Sequence, residues 1–128
     1  MSEGLADTSL FVARESGRAV QVDALPDALW VSIITIGELR AGVLAATDTA
    51  TRDRRLHTLE AALAIAPLPV DDTVASAWAR LRVELHDAGR RMPVNDSWIA
   101  ATAIAHGLSV VTQDADYDGV AGLDVIRV

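Results

Sequence analysis

Short apolar runs alternate along this chain with stretches whose apolar residues recur every three or four positions. Residues 4–6, 28–32, 108–111 and 125–128 read as brief buried strands, with little polar alternation. Between them the spacing predicts helices over 8–15, 33–46, 52–65, from Asp71 and Asp72 to about Gly89, and 96–106. Thr8 or Ser9 can cap the first helix, and Gly17 and Gly107 are stop signals. Leu56, Leu59 and Leu63 share one face of the third helix; Val74, Trp78, Leu81 and Leu85 form the buried stripe of the fourth. Residues 66–70 carry Pro67 and Pro69 and could form only an edge-like strand. Pro26 and Asp27 mark a turn, residues 47–51 and 90–95 read as loops, and residues 114–118 as an acidic turn. Strands alternating with helices imply an α/β fold: one domain over residues 1–128, with a central parallel sheet flanked by helices on both faces.

Composition narrows the class. At 128 residues the chain is long enough to bury roughly two-thirds of its unfolded surface. Half of it is hydrophobic, which excludes a disordered chain. There is no cysteine, which excludes disulfides and thiolate metal sites and fits a reducing cytoplasm. No basic segment precedes an apolar run at the N-terminus, and residues 28–36 are too short to span a bilayer, so a soluble protein without a membrane is expected. The net charge of −7 argues against broad electrostatic binding of nucleic acid. All eleven basic residues, however, are arginine, the better bidentate partner for phosphate.

The acidic residues carry the chemistry. Asp7, Glu38, Asp96, Asp114 and Asp116 each fall at or just past the end of an apolar strand, or on the first turns of the helix that follows. In a parallel sheet such positions converge where the carboxyl ends of the strands open into a crevice. Carboxylates gathered there repel one another unless a cation sits among them, and oxygen-only clusters suit Mg²⁺ or Mn²⁺. Taken singly, each acid has a plainer reading. Asp7 could cap the first helix. Glu38 could close a capping box with Thr35, although Ser32 is an equally good cap. Asp96 could serve the helix macrodipole, and Asp114 and Asp116 could be solvated turn residues. Their shared placement is what favours a metal site.

The segments DTSLFVARE from Asp7, VSIITIGELRAGV around Glu38, and PVNDSWIAATAIAHGLSVVTQDADYD over residues 93–118 resemble the PIN-domain ribonucleases. Within that superfamily they are similar to the VapC toxins of bacterial toxin–antitoxin pairs. The resemblance covers essentially the whole chain, and its last segment is the most diagnostic. Asp7, Glu38 and Asp96 match the family's first three acids. Asp114 takes the fourth position, where many relatives have Asn, and Asp116 adds a further acid beside Tyr117, where Phe is common.

The resemblance implies a Mg²⁺- or Mn²⁺-dependent endoribonuclease cutting transfer or ribosomal RNA. Asp7 and Asp96 would be the main metal ligands. Asp114 and Asp116 would extend that site or hold a second ion, and Glu38 would orient water or accept its proton. Thr8 and Thr112 could fix the carboxylates. Arg14, Arg18, Arg90 and Arg91 are candidates for gripping RNA because they flank the acidic segments, while the Arg52–Arg55 cluster reads as an exposed helix face or partner contact. His57, His86 and His106 suggest surface or capping roles. A cognate VapB-type antitoxin and a homodimer are the implied partners.

Other classes fit less well. Phosphoacceptor receiver domains use a lysine, which this chain lacks, and haloacid-dehalogenase phosphatases need a second Asp where Ser9 stands. A PIN fold that binds RNA or protein without cutting is the alternative.

Overall fold

The computed structural model describes residues 1–128. Four parallel strands form one sheet: β1 (Glu3–Ala6), β2 (Ala28–Val31), β3 (Ser109–Thr112) and β4 (Val125–Arg127), in the order β2-β1-β3-β4. The helices are α1 (Thr8–Ser16), α2 (Ile33–Ala45), α3 (Thr49–Leu63), α4 (Asp72–Asp87) and α5 (Val94–His106). Short 3₁₀ turns lie at Val22–Ala24 and Ala115–Tyr117. From β1 the chain passes first to β2 on one side and later to β3 on the other. The order therefore reverses beside β1, and the crevice past the ends of β1 and β3 is the switch point where open parallel sheets take ligands.

Alternate side chains of each strand enter opposite layers. Leu5 and Val110 join Leu81 and Leu85 of α4, Ile99, Ala100 and Ala103 of α5, and Tyr117. Ala6 and Val111 pack with Leu10 of α1 on the other face. Val31 meets Ile36 and Leu39 of α2 and Leu59 and Ala62 of α3. Close approach within the sheet dictates Gly4, because a Cβ there would lie 2.6 Å from Val111 Cγ2 and 3.1 Å from Pro26. Gly107 ends α5 in the left-handed region at φ 64°, and its N–H returns to the last turn. No helix is long and apolar enough to cross a membrane.

The expected α/β fold is present, with three local corrections. The stretch 66–70 is not a strand. Leu68 makes one parallel bridge to Ser32, donating to Val31 O at 2.8 Å and accepting from Ile33 N at 2.9 Å. Its proline neighbours have no N–H with which to extend a ladder. The third helix starts at Thr49 rather than Arg52, because the Asp48 carboxylate accepts from Thr51 N at 2.8 Å and caps it. Its buried residues are Leu59 and Ala62, while Leu56 and Leu63 are 39% and 40% exposed. The fifth helix opens at Val94, not Asp96: Pro93 occupies the cap and its carbonyl accepts from Ser97 N at 3.0 Å. The fourth helix buries Val74, Leu81 and Leu85 of its stripe, while Trp78 is half-buried and stacks on Trp98.

Candidate active site at the carboxyl ends of the strands

The pairing of Ala6 with Val111 sets Asp7 beside Thr112 at the ends of β1 and β3. Asp7 is 2% exposed, so its carboxylate must find its donors inside the protein. Oδ1 accepts from the Tyr117 hydroxyl at 2.8 Å; Oδ2 accepts from Thr112 Oγ1 at 2.9 Å and from Ser9 N at 3.3 Å. The capping reading of Asp7 is therefore true but incomplete, since two of the three donors come from beyond residue 110.

Hydroxyl proton accounting orders the rest of the network. Thr112 commits its one proton to Asp7, so the 3.1 Å contact between Ser9 Oγ and Thr112 Oγ1 has Ser9 as donor. Ser9 Oγ in turn accepts from Gln113 N at 3.0 Å, and Thr112 Oγ1 accepts from Asp114 N at 2.9 Å. Asp114 Oδ1 then accepts from Asp116 N at 3.0 Å. These bonds shape the turn after β3 so that oxygens of Asp96, Asp114 and Asp116 lie within 4.8 Å of one another.

Asp96 stands on the first turn of α5, half-buried, with Oδ1 3.2 Å from the Tyr117 hydroxyl. That hydroxyl has one proton for two carboxylates, and the shorter contact is the one to Asp7. Burial first, then hydrogen bonding with Asp116, then the charge of Asp7 push the Asp96 carboxyl up to about 7. Burial and the same two anions push the Tyr117 phenol upward, so it remains a neutral donor.

Glu38 lies one turn inside α2. Ser32, not Thr35, caps that helix, since Ser32 Oγ accepts from Ile34 N at 3.0 Å, and the capping-box reading of Glu38 fails. Glu38 Oε1 accepts from Thr8 Oγ1 at 2.7 Å. Thr8 has then spent its proton, so buried Thr35 donates to Thr8 at 3.0 Å. Glu38 lines one hollow with Asn95, the residue before Asp96, and a second with Thr8, Glu15 and Arg55. It flanks the cluster of Asp96, Asp114 and Asp116 and is not within it.

The arginines separate. Arg90 donates through Nη2 to the Asp116 carbonyl at 2.8 Å, and it lines a hollow with Arg91 and Ser97. Arg14 lines the cleft between α1 and α3 with Glu15, Asp53 and His57; Arg18 borders an apolar groove with Val22, Leu25 and Leu29. From the sequence, Ser9 and Thr35 are legible only as caps, Arg55 only as part of an exposed cluster and Tyr117 only as the aromatic beside Asp116; their places in this network come from the structure. Ser9 and Thr35 did carry a signal: Ser9 follows Asp7 by two, and Thr35 precedes Glu38 by one helical turn.

The donor set suits a hard divalent cation. It is all oxygen, with three carboxylates mutually within reach, a fourth held nearby by Tyr117, and no lysine or arginine ion-paired to any of them. Burial, hydrogen bonding with Asp116 and the charge of Asp7 raise the Asp96 carboxyl, and positive charge among these acids would lower it.

Comparison with known proteins agrees with this architecture. The PIN domain family matches residues 5–123. Ribonuclease VapC5 of Mycobacterium tuberculosis is 48% identical over 128 residues, spanning 98% of this chain and 95% of that protein. Ribonuclease VapC4 of the same organism is 46% identical over 125 residues, spanning 97% and 95%. The crystal structure of the M. tuberculosis toxin–antitoxin complex VapBC-5 contains a chain that superposes with a TM-score of 0.91 at 44% identity, all of each chain being covered. With its sheet order, its acidic switch point and this likeness along its whole length, the chain belongs to the PIN-domain family and, within it, to the VapC group.

Proposed function

We propose that this chain is the toxin of a type II toxin–antitoxin pair, an endoribonuclease that requires Mg²⁺ or Mn²⁺ and hydrolyses phosphodiester bonds of transfer or ribosomal RNA. The observation that carries this reading is the meeting of Asp7, Asp96, Asp114 and Asp116 at the switch point, with Tyr117 bonded to Asp7 and Asp96. The ribonuclease names of VapC5 and VapC4 support the reaction, and the VapBC-5 complex supports a VapB-type antitoxin as partner. A homodimer in the cytoplasm completes the proposal.

Asp7, Asp96, Asp114 and Asp116 would hold the ion. When bound, a divalent cation supplies charge neutralisation at a phosphate oxygen and a lowered pKa for water. The residues of the chain do the rest. Thr112, Tyr117 and Ser9 N fix the Asp7 carboxylate, so its orientation is set before an ion would bind. Asp96 would release its proton to solvent as positive charge entered the cluster. Glu38 has Oε1 held by Thr8 and Oε2 without a protein partner, which suits it to orient the attacking water or take its proton. Water attack leaves a 5′-phosphate and a 3′-hydroxyl and makes no use of the RNA 2′-hydroxyl. An antitoxin that sets a basic side chain among the same acids would compete with metal for one pocket. Arg14 and Arg18 remain proposed RNA contacts on the α1 side of the molecule.

The test is cleavage of total cellular RNA by the purified protein with Mg²⁺ or Mn²⁺, mapped by end sequencing, beside Asp96→Asn and an EDTA sample. Discrete cuts lost in both controls are expected. Folded, antitoxin-free protein that makes no cut would turn the reading toward a PIN-fold binding module.

A further inference from the structure

Beside the acidic centre lies a hollow of opposite character. Arg82 and His86 of α4, Arg90 and Arg91 of the following loop, and Met92 and Ser97 surround a space of about 320 Å³, and no carboxylate lines it. Arg82, Arg90 and Arg91 take part in none of the ion pairs of the protein. Three uncompensated guanidinium groups converge there in a chain of net charge −7.

The hollow is braced and tied to the acids. Arg90 reaches the Asp116 carbonyl at 2.8 Å, so one wall is fastened to the turn that carries Asp114 and Asp116. Ser97 directly follows Asp96 on α5; it donates to Val94 O at 2.5 Å and accepts from Trp78 Nε1 at 3.0 Å. Trp78 stacks on Trp98 with centroids 4.2 Å apart and planes 2° from parallel, and Arg82 lies 5.0 Å over the Trp78 ring. The aromatic pair therefore holds the Arg82 side chain, which reduces the rotamer entropy it would lose on binding an anion.

We propose that this hollow takes a backbone phosphate of the RNA strand next to the one being cut, with Arg82 and Arg91 as its principal contacts. The proposal rests on the nuclease reading and adds to it the place where the strand is gripped. An acidic centre repels the polyanion it must cut until a cation intervenes, and an adjoining arginine pocket offsets that repulsion. Arg90 is a brace, because one of its terminal nitrogens is committed to the Asp116 carbonyl. RNA is favoured over an acidic protein segment because the pocket adjoins the turn whose acids would bind the metal.

The test is the salt dependence of binding of a fluorescent single-stranded RNA to full-length Asp96→Asn protein in EDTA, where affinity is read without cleavage. Arg82→Ala and Arg91→Ala are each expected to weaken binding about tenfold. Each should also reduce the slope of log K against log salt by about 0.7, the loss of one phosphate contact. Arg82→Lys and Arg91→Lys should keep the slope, and Arg80→Ala, exposed on α4 and outside the hollow, should leave it unchanged. Weakened binding with an unaltered slope would mean lost packing and overturn the proposal. Unaltered affinity in both alanine variants, with wild-type protein still cutting RNA, would overturn the proposal and leave the nuclease reading standing. No RNA bound, together with no cutting by wild type, would remove the nuclease reading as well.

Discussion

Two aspartates at opposite ends of the same sheet have been moved in opposite directions. Asp27 sits at the amino end, just before β2, fully exposed. It accepts from Ser2 N at 2.9 Å and from Ser2 Oγ at 3.1 Å, while its own N–H donates to Ser2 Oγ at 2.9 Å. The backbone bond first, and then the hydroxyl bond, hold its carboxyl below the usual value of 3.8. Asp96, at the carboxyl end, is raised to about 7 by burial and by other acids. One is surrounded by donors, the other by competitors for the same proton. A donor-rich end stabilises a fold, whereas an end that keeps acids under mutual repulsion is suited to a cation.

The sharpest break of this contrast is neutralisation at the carboxyl end. Asp96→Asn or Asp7→Asn should lower RNA cleavage by about 10²–10³-fold or more, the scale of losing one electrostatic contact to a transition state. Single-turnover cleavage at saturating Mg²⁺ measures it. Equal cleavage by the Asn variants would place the chemistry elsewhere.

How far the sequence discloses this contrast depends on the range of the interactions. The strands and the α4 stripe are written in local periodicity, and they appear as expected because burial selects the same residues that the period marks. The prolines around Leu68 warned of a broken edge, yet the single bridge to Ser32 depends on the tertiary path of the chain. Asp48 is legible as a cap three residues before Thr51, and its cap places the start of α3 at Thr49. The five acids could be singled out from their positions after strands. The Tyr117 hydroxyl could not be assigned from local spacing, because its partners Asp7 and Asp96 are 110 and 21 residues away. Nor does spacing reveal that Arg90 faces the acidic turn while Arg14 lies against α3.

The raised carboxyl at Asp96 predicts an unusual pH profile for the metal-free protein. Between 3.8 and about 7 the folded state retains a proton that the unfolded chain has released. The stability this group contributes is full below 3.8 and is lost as pH rises through about 7. Thermal unfolding in EDTA should show Tm falling across that window, with the fall flattened in Asp96→Asn. Mg²⁺ or Mn²⁺ should raise Tm at pH 8, stabilising the fold by about 2.7 kcal/mol when present at about 100 times its Kd. A pH profile identical for wild type and Asp96→Asn would contradict the assignment.

Removing donors from Asp7 sharpens the same contrast at smaller scale. Thr112→Val takes away the 2.9 Å bond to a carboxylate only 2% exposed and strips Asp114 N of its acceptor. Denaturant unfolding should register a loss of about 1–3 kcal/mol. Tyr117→Phe removes one donor and keeps the packing of the ring, so its cost should be nearer 1 kcal/mol. Metal affinity measured by calorimetry should fall about 10–100-fold for Thr112→Val, the usual cost of freeing a ligand from its support. Unaltered affinity would mean that Ser9 N and the Tyr117 hydroxyl suffice to orient Asp7.

The smallest effect belongs to the amino end. Asp27→Asn keeps an acceptor for Ser2 and removes only the charge, at a position fully open to solvent. RNA cleavage should be unchanged, since nothing at that end takes part in the site. The stability carried by the lowered carboxyl is present above 3.8 and is lost as pH falls through its depressed value. The small Tm difference between wild type and Asp27→Asn should therefore exist at neutral pH and close in acid, the reverse of the trend at Asp96. Should Asp27→Asn impair cleavage, the two ends of the sheet would be coupled through β1, and the donor-rich end could no longer be regarded as structural alone.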